Sequence, residues 1–576
     1  MGDILSRSRR CALVWTCLVA IAVLLSLSGE AAASPKPADL VLLDGRVYTA
    51  DAHHRVVKAL AVRDGKLIRV GSNRMVQPLV GKKTKVIRLR GKLVLPGFID
   101  AHCHPSSVTQ ELYQLNLWNT KTLDEVQQAL REFADAHPDL AAITGGGFVS
   151  SDYGDPGPKK EWLDAVVPDR PVILSDQSGH IAWVNSKALE LLGITKDTPD
   201  PPNGTIVKDP VTGEPWGLLY EAASLPAYEL IPPYSISEME AALTHYQENI
   251  ALPFGITTVN EALVTPGSTF DAWEALDQKG GLRLRVRDAA TIQVENPAGG
   301  LLDAVEMRQQ AAGGLFRVSQ VKLWLDGIVE NHTAYLKEPY ADMPDFRGNP
   351  MWTDQSQLDS VALRATKLGF QLHFHAIGDA AVAQALDTVA DVQKSMGPLA
   401  FRPLIAHLEV VDPADYARMA QLRVVAAMQP YWMMNNYWVP QQEAVLGPER
   451  ASHQYPMRSL FRAGVLVASG SDYYALATAP NPLIGIQIGV MREYAPQTTP
   501  GPWWPEERAT RRQMVDSFTR NAAEAMSLDR VTGSLELGKS ADLVILSKDI
   551  FKVPADQIAS AQVLKTLFRG KVVYQR

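Results

Sequence analysis

His102 and His104 stand two apart at the end of an apolar run, Leu95-Pro96-Gly97-Phe98-Ile99-Asp100-Ala101-His102-Cys103-His104. On an extended strand residues i and i+2 share a face, so this spacing sets two imidazoles side by side. Such a pair is a chelating arm that needs partners from other strands to close a metal site. Alone, it would better fit two surface histidines at a turn. Further along, Lys322, His375, His407 and Asp472 each fall at the end of another apolar run. Four neutral imidazoles and a carboxylate suit one or two borderline-soft divalent ions, zinc first among them and other transition metals after it. A divalent ion in such a set acidifies a water and polarises a carbonyl, which is the chemistry of hydrolysis.

These residues need strands to carry them. After the His102 strand, strand candidates run at Gly255–Val259, Leu282–Val286, Val318–Leu323, Phe370–His375, Pro403–His407, Arg423–Ala427 and Val465–Asp472. Helical patterns lie between them, one with Asp412 as cap and Pro413 at its first position. Eight strands with helices between predict a (β/α)8 TIM barrel, in which functional groups gather at the C-terminal strand ends. A long excursion separates the first two strands. Thr122-x-x-Glu125 is a capping box opening a helix to about Ala136. Asp176 to His180 and the Pro/Gly-rich Pro199 to Gly217 read as lid or loop material.

Short strand patterns with Asp44-Gly45 and Asp64-Gly65 hairpin signals fill residues 38–95, and 541–546 and 571–574 repeat the vocabulary. The expected architecture is therefore α/β: a barrel over 96–527, an insertion at about 105–254, and a small β-sandwich domain built from both termini, 34–95 with 528–576.

The ordered set of site residues resembles the amidohydrolase superfamily, in its extended branch (amidohydrolase family 3), which includes N-substituted formamide deformylase. The resemblance rests on residues 95–104, on Asp176-Gln-Ser-Gly-His180 with Asn185-Ser-Lys-Ala-Leu189, and on Val321-Lys-Leu-Trp-Leu-Asp-Gly327. It extends through His375-Ala-Ile-Gly-Asp379, Gly470-Ser-Asp472 and Gly533-Ser-Leu-Glu-Leu-Gly-Lys-Ser-Ala-Asp542. It implies metal-dependent hydrolysis of an amide, formamide or cyclic amide, with Asp472 as general base and then acid. An ester, a lactone or a deamination would use the same site, and a metal-free binding protein is the reading from outside catalysis. By the same resemblance His102, His104 and Asp472 hold one metal, His375 and His407 the other, and a carbamylated Lys322 bridges them. A one-metal site without that modification is the alternative. His180 is implicated in substrate binding or oxyanion stabilisation, or else caps the helix at Asn185. Glu221 is a further candidate.

His373 and His375 share a face, so spacing does not choose between them; His375 lies nearer the strand end and is taken as the ligand, His373 as a buried, hydrogen-bonded histidine. Glu409 follows His407 by two and on a strand would share its face. Trp324, Trp432, Trp438 and Tyr473 lie near strand ends and would form an apolar pocket.

Residues 1–33 carry Arg7, Arg9 and Arg10, an apolar run from Cys11 to Leu27 and Ala31-Ala32-Ala33, the order of a secretory signal peptide cut after Ala33. Ser8-Arg9-Arg10 faintly resembles a twin-arginine signal. Export to the periplasm or medium is expected, with no membrane span left after cleavage, the run being short of the ~20 residues a span needs. Cleavage leaves Cys103 as the one cysteine of three, so no internal disulfide forms and the core must supply stability. A net charge of −7 and no basic patch give nucleic acid no footing. The expected partner is a small-molecule substrate, and homo-oligomerisation is left open.

Overall fold

Eight parallel strands follow one another in chain order around a single sheet. They are β1 (Phe98–Cys103), β2 (Ile256–Val264), β3 (Arg285–Thr291), β4 (Phe316–Trp324), β5 (Gln371–Ala376), β6 (Leu404–His407), β7 (Val425–Met428) and β8 (Leu466–Ser469). A computed structural model describes residues 36–176, 181–201, 204–436, 439–473, 480–494 and 501–576. β8 meets β1 where the Asp472 N–H donates to the His102 carbonyl at 2.8 Å. Gly470 lets the two backbones approach there, since a Cβ on it would lie 2.6 Å from the His102 nitrogen. The sheet is thus a (β/α)8 TIM barrel, with helices such as Ser268–Gln278, Pro297–Gln310, Gln355–Lys367 and Asp379–Met396 between its strands.

Two packing layers follow from strand alternation. Phe98, Val259, Val286, Ile405, Ala426 and Val467 face the helices in the large core. Ile99, Ala101, Leu404, Ala406, Val425, Ala427 and Ala468 form a second cluster with Ala522, Ala523 and Ala525 of the helix Arg520–Ala525. That cluster fills one end of the barrel interior and leaves the opposite, polar end for the site.

The β-domain packs two sheets. Lys66–Gly71, Ala59–Arg63, Leu40–Leu43 and Lys85–Arg88 make one; Lys571–Gln575, Val563–Phe568, Leu543–Leu546, Leu93–Pro96, Arg46–Tyr48 and Val56–Val57 make the other. Leu42, Leu60, Val47, Val94, Leu543 and Leu567 share the core between them. Both termini therefore build the sandwich. Asp64-Gly65 does close a hairpin. Asp44-Gly45 does not: its flanking strands belong to different sheets, and Asp44 at φ 61° turns the chain across the sandwich.

Three further expectations need correction. The third barrel strand runs over Arg285–Thr291 and not 282–286. Leu282 and Leu284 are buried in the large core before the ladder begins at the Thr258–Arg285 pairing, so their alternation marked burial without pairing. Of the two stretches of the excursion expected as lid or loop, Asp176 to His180 lies mostly outside the described residues and Pro199 to Gly217 enters a sheet. The excursion folds a six-stranded sheet in the order Gly204–Lys208, Pro215–Glu221, Ile181–Val184, Val172–Asp176, Ile143–Phe148, Gln114–Asn116. The Pro/Gly-rich stretch thus contains a hairpin and not a lid loop. Pro413 opens a 3-10 turn, with the α-helix starting only at Tyr416. The capping box at Thr122 is present as expected and opens the helix Leu123–Ala136.

Candidate metal centre

A bulge in β1 aims the first candidate ligand. Asp100 and Cys103 pair with Val259 and Glu261, so three steps on β1 oppose two on β2. An extra residue in one strand turns the side chains that follow it. Ala101 therefore packs in the inner apolar cluster while the next residue, His102, enters the site. Cys103 points away from it, its Sγ toward the Asn260 carbonyl.

Asp472 stands just beyond β8 at φ 52°, a left-handed backbone that few non-glycine residues adopt. The turn is held by Asp100, which accepts from the Ser471 N–H at 2.8 Å and the Ser471 hydroxyl at 2.5 Å. The Asp472 Oδ1 then lies 3.3 Å from His102 Nε2 and 3.1 Å from His104 Nε2. These three side chains offer ligand atoms all within 4.8 Å of one another. Burial alone would raise the Asp472 carboxyl, but the two imidazoles hold it well below the usual carboxylate range.

Lys322 Nζ lies 3.5 Å from His102 Nε2 and 5.5 Å from the centre of the Trp324 ring. It is fully buried, and burial lowers its ammonium to about 7 against the opposing pull of Asp472. His407 Nδ1 is 3.8 Å from Asp472 Oδ2, and the His375 and His407 rings sit 4.3 Å apart between centres. Burial, followed by Lys322, pushes His102 and His375 down to about 3. All six expected ligand residues thus converge at the C-terminal ends of β1, β4, β5, β6 and β8. They are buried apart from His104, which is partly exposed.

Tryptophans wall this cluster. Trp324 stacks on His375 at 4.6 Å and Trp432 on His407 at 5.8 Å. Tyr473 faces Tyr246 and donates to Glu111. His180 and Trp438 lie outside the described residues, as does the Glu221 side chain. The helix at Ser186–Leu192 is capped by Asn185 itself.

Glu409 does not share the face of His407. β6 ends at His407, and His407 and Leu408 both take positive φ, which turns the chain. The Glu409 carboxylate instead accepts from Gln442 Nε2 at 3.0 Å, and burial and then Glu330 raise its carboxyl. One position near the centre was given no role in the sequence reading. Asp326 accepts the N–H groups of Tyr335, Ile377 and Gly378 at 2.8–3.0 Å, locking the loops after β4 and β5 together. His373 is the buried, hydrogen-bonded histidine expected from the sequence, and its partners are His102 through Nε2 and Gln320 through Nδ1.

The donor set fits a divalent ion. The buried Nδ1 atoms of His375 and His407 have no hydrogen-bond partner, and two imidazole nitrogens and a carboxylate oxygen crowd together at Asp472. Lone pairs so placed are costly unless a cation or proton joins them. Fold and site together define a barrel hydrolase built around a metal centre. The amidohydrolase family model matches residues 85–574, and the chain belongs to that family. As such it is a metal-dependent hydrolase acting on carbon–nitrogen bonds. Protein LONG AFTER FAR-RED 3 of Arabidopsis thaliana is 31% identical over 93% of this chain and 92% of its own. N-substituted formamide deformylase of Arthrobacter pascens is 27% identical, covering 93% and 98%. An uncharacterized metal-dependent hydrolase from Pyrococcus horikoshii superposes with a TM-score of 0.73 at 23% identity, over 90% and 99% of the two chains, and supports the fold.

Proposed function

We propose that the enzyme hydrolyses an amide, formamide or cyclic amide of a small molecule, with zinc held by His102, His104, Asp472, His375 and His407. The observation that carries this reading is the meeting of His102, His104 and Asp472 at one point on the barrel's C-terminal face. The chemistry a divalent ion supplies in such a set is acidification of a water and polarisation of the scissile carbonyl. Asp472 Oδ1 takes the contacts with the β1 imidazoles, so Oδ2 receives the water's proton and returns it to the leaving nitrogen. Trp324 and Trp432 exclude bulk water and stiffen the imidazoles they stack on. His180 is the proposed substrate-binding or oxyanion group on the strength of its motif.

Lys322 is proposed as a carbamate bridging two ions. An ammonium beside divalent cations is repelled, whereas a carbamate offers two anionic oxygens on a long stem. Residues 1–33 are proposed as a cleaved export signal, 34–95 with 528–576 as the sandwich domain, and 96–527 as the barrel domain with its insertion.

The test is a hydrolysis screen on zinc-loaded protein with amide and ester versions of the same acyl groups, alongside metal analysis. Amides turned over ahead of esters, with about two zinc ions per chain falling to one in Lys322→Ala, are the expected results. Turnover confined to esters would reassign the bond. Protein that binds no metal would end the proposal.

A further inference from the structure

One imidazole of the centre differs from the rest. Among the described residues, His104, His375 and His407 have Nδ1 atoms with no hydrogen-bond partner, whereas His102 Nδ1 lies 2.9 Å from His373 Nε2. The chain of contacts continues inward. His373 Nδ1 is 2.8 Å from Gln320 Oε1, that oxygen is 3.2 Å from Asn260 Nδ2, and Asn260 Nδ2 is 3.0 Å from the Ala101 carbonyl oxygen. Asn260, Gln320, His373 and His102 are all fully buried, so each proton in the series is dictated by its neighbour and not by solvent.

The Ala101 carbonyl can only accept, which fixes the Asn260 atom facing it as the amide nitrogen. The second hydrogen of that amide points at Gln320, which must therefore present its oxygen. An oxygen only accepts, so His373 donates to it from Nδ1–H. A neutral imidazole carries one N–H, and the other nitrogen of His373, Nε2, is then a bare acceptor. His102 must donate to it from Nδ1–H. The one proton of His102 is thereby placed, and its Nε2 lone pair faces Lys322 and Asp472.

We propose that His373 is a positioning residue that holds His102 in the Nδ1–H tautomer, with the ring oriented and the Nε2 lone pair presented for metal binding. The inference rests on reading His102 as a ligand and assigns a role to a histidine that makes no ligand contact itself. The backbone carbonyl of Ala101, the residue next to the ligand, sets that ligand's tautomer through three intervening side chains. In the opposite tautomer two lone pairs would face each other at 2.9 Å.

The test uses the full chain, stripped of metal, with zinc affinity measured by competition against a chromophoric chelator. His373→Leu removes the acceptor and is expected to weaken zinc binding roughly 10- to 100-fold, the usual loss for such a partner. His373→Gln places a carboxamide oxygen near the lost Nε2 and should restore most of that affinity, which a merely space-filling role would not require. Gln320→Leu should weaken binding in the parent but add nothing in the His373→Gln background, because Gln320 acts only through the imidazole. Unchanged affinity in a folded His373→Leu variant would overturn the proposal, as would failure of the glutamine to restore it. If His373→Leu does not fold, the two Gln320→Leu comparisons decide the matter alone. If the parent binds no zinc, the metal reading itself fails. The relay is then read separately from the 15N resonances of His102 in metal-free protein: a proton on Nδ1 supports it, and a proton on Nε2 overturns it.

Discussion

Two buried carboxylates near the centre do opposite things, and their neighbours explain why. Asp472 is held ionised against its burial by the imidazoles beside it and is the group proposed to move a proton. Asp472→Asn is nearly isosteric, so folding and packing should survive while turnover falls by ~10²–10⁴-fold, the usual range for a lost general base. A kcat near that of the parent on a good substrate would assign the proton transfer elsewhere. Burial favours the protonated form of Glu261. This residue accepts the Ser106 and Trp273 N–H groups on Oε2 at 3.2 Å, and its Oε1 meets the Ser106 hydroxyl at 3.3 Å. Burial raises this carboxyl from 4.5 to about 7, against the lowering effect of His104. Between those values the folded state keeps a proton that the unfolded chain has lost, so stability falls as pH rises through the window and levels off above it. Glu261→Gln preserves the hydrogen bonds, with its amide nitrogen toward Ser106 Oγ, and abolishes the titration. Metal-free variant and parent should melt alike near pH 4, and the variant should gain up to about 3 kcal/mol by pH 8. Parallel stability–pH curves would contradict the assignment.

At the scale of elements, short polar side chains hold the turns that place the site. Asn185 is the strongest case in the insertion. Its Oδ1 accepts from the N–H groups of Val172 and Ala188, and its Nδ2 donates to the carbonyls of Val167 and Arg170, all at 2.9–3.0 Å. Losing a helix cap costs ~1 kcal/mol, and stranding buried partners adds ~1–3 kcal/mol. Asn185→Ala should therefore lower stability by about 2–4 kcal/mol, with hydrogen exchange rising first in residues 172–192. Uniform exchange across the chain would show that the insertion does not loosen by itself. Asn185 also shows what a sequence can disclose. The type of residue and its position before a helix were legible; the distant partners were not. The same holds at the centre. His-x-His, the single histidines and Asp472 were readable because period-two alternation and apolar runs are local signals. The contact of His102 with His373 joins residues 271 apart, and no local pattern encodes it. Glu409 was misplaced because the backbone leaves the strand at His407, where positive φ at two non-glycine residues is imposed by tertiary packing. The insertion's sheet was missed because Gly145-Gly146-Gly147 makes up half of one of its strands, Ile143–Phe148. Gly145 and Gly146 are needed in that strand because the Leu115 backbone and the Ser175 carbonyl approach too closely for a side chain.

For the molecule as a whole, the sandwich and the barrel are joined where the chain first enters the barrel. Leu93–Pro96 belongs to the sandwich and pairs with Leu543–Leu546; after Gly97 the same stretch becomes β1 and carries His102. Asp542 locks this junction. Its carboxylate accepts from Arg285 on β3, from the hydroxyls of Thr532 and Ser540 at 2.8 Å, and from the Arg569 N–H at 2.8 Å. Its carbonyl accepts from the Gly97 N–H at 2.9 Å. The Arg285 and Asp542 side chains are 6% and 0% exposed, so neither charge can be rehydrated if the other is removed. Breaking one half of such a pair typically costs ~3–5 kcal/mol, whereas replacing both halves with apolar groups costs far less. Asp542→Ala should therefore destabilise the protein by about that amount, and Arg285→Met with Asp542→Leu should recover much of it. Because β1 leaves this junction directly, zinc affinity should fall in Asp542→Ala and return in the double variant, even at temperatures where both remain folded. Chemical denaturation paired with zinc titration reads both effects. If stability falls and zinc affinity does not, the junction supports the fold without steering His102.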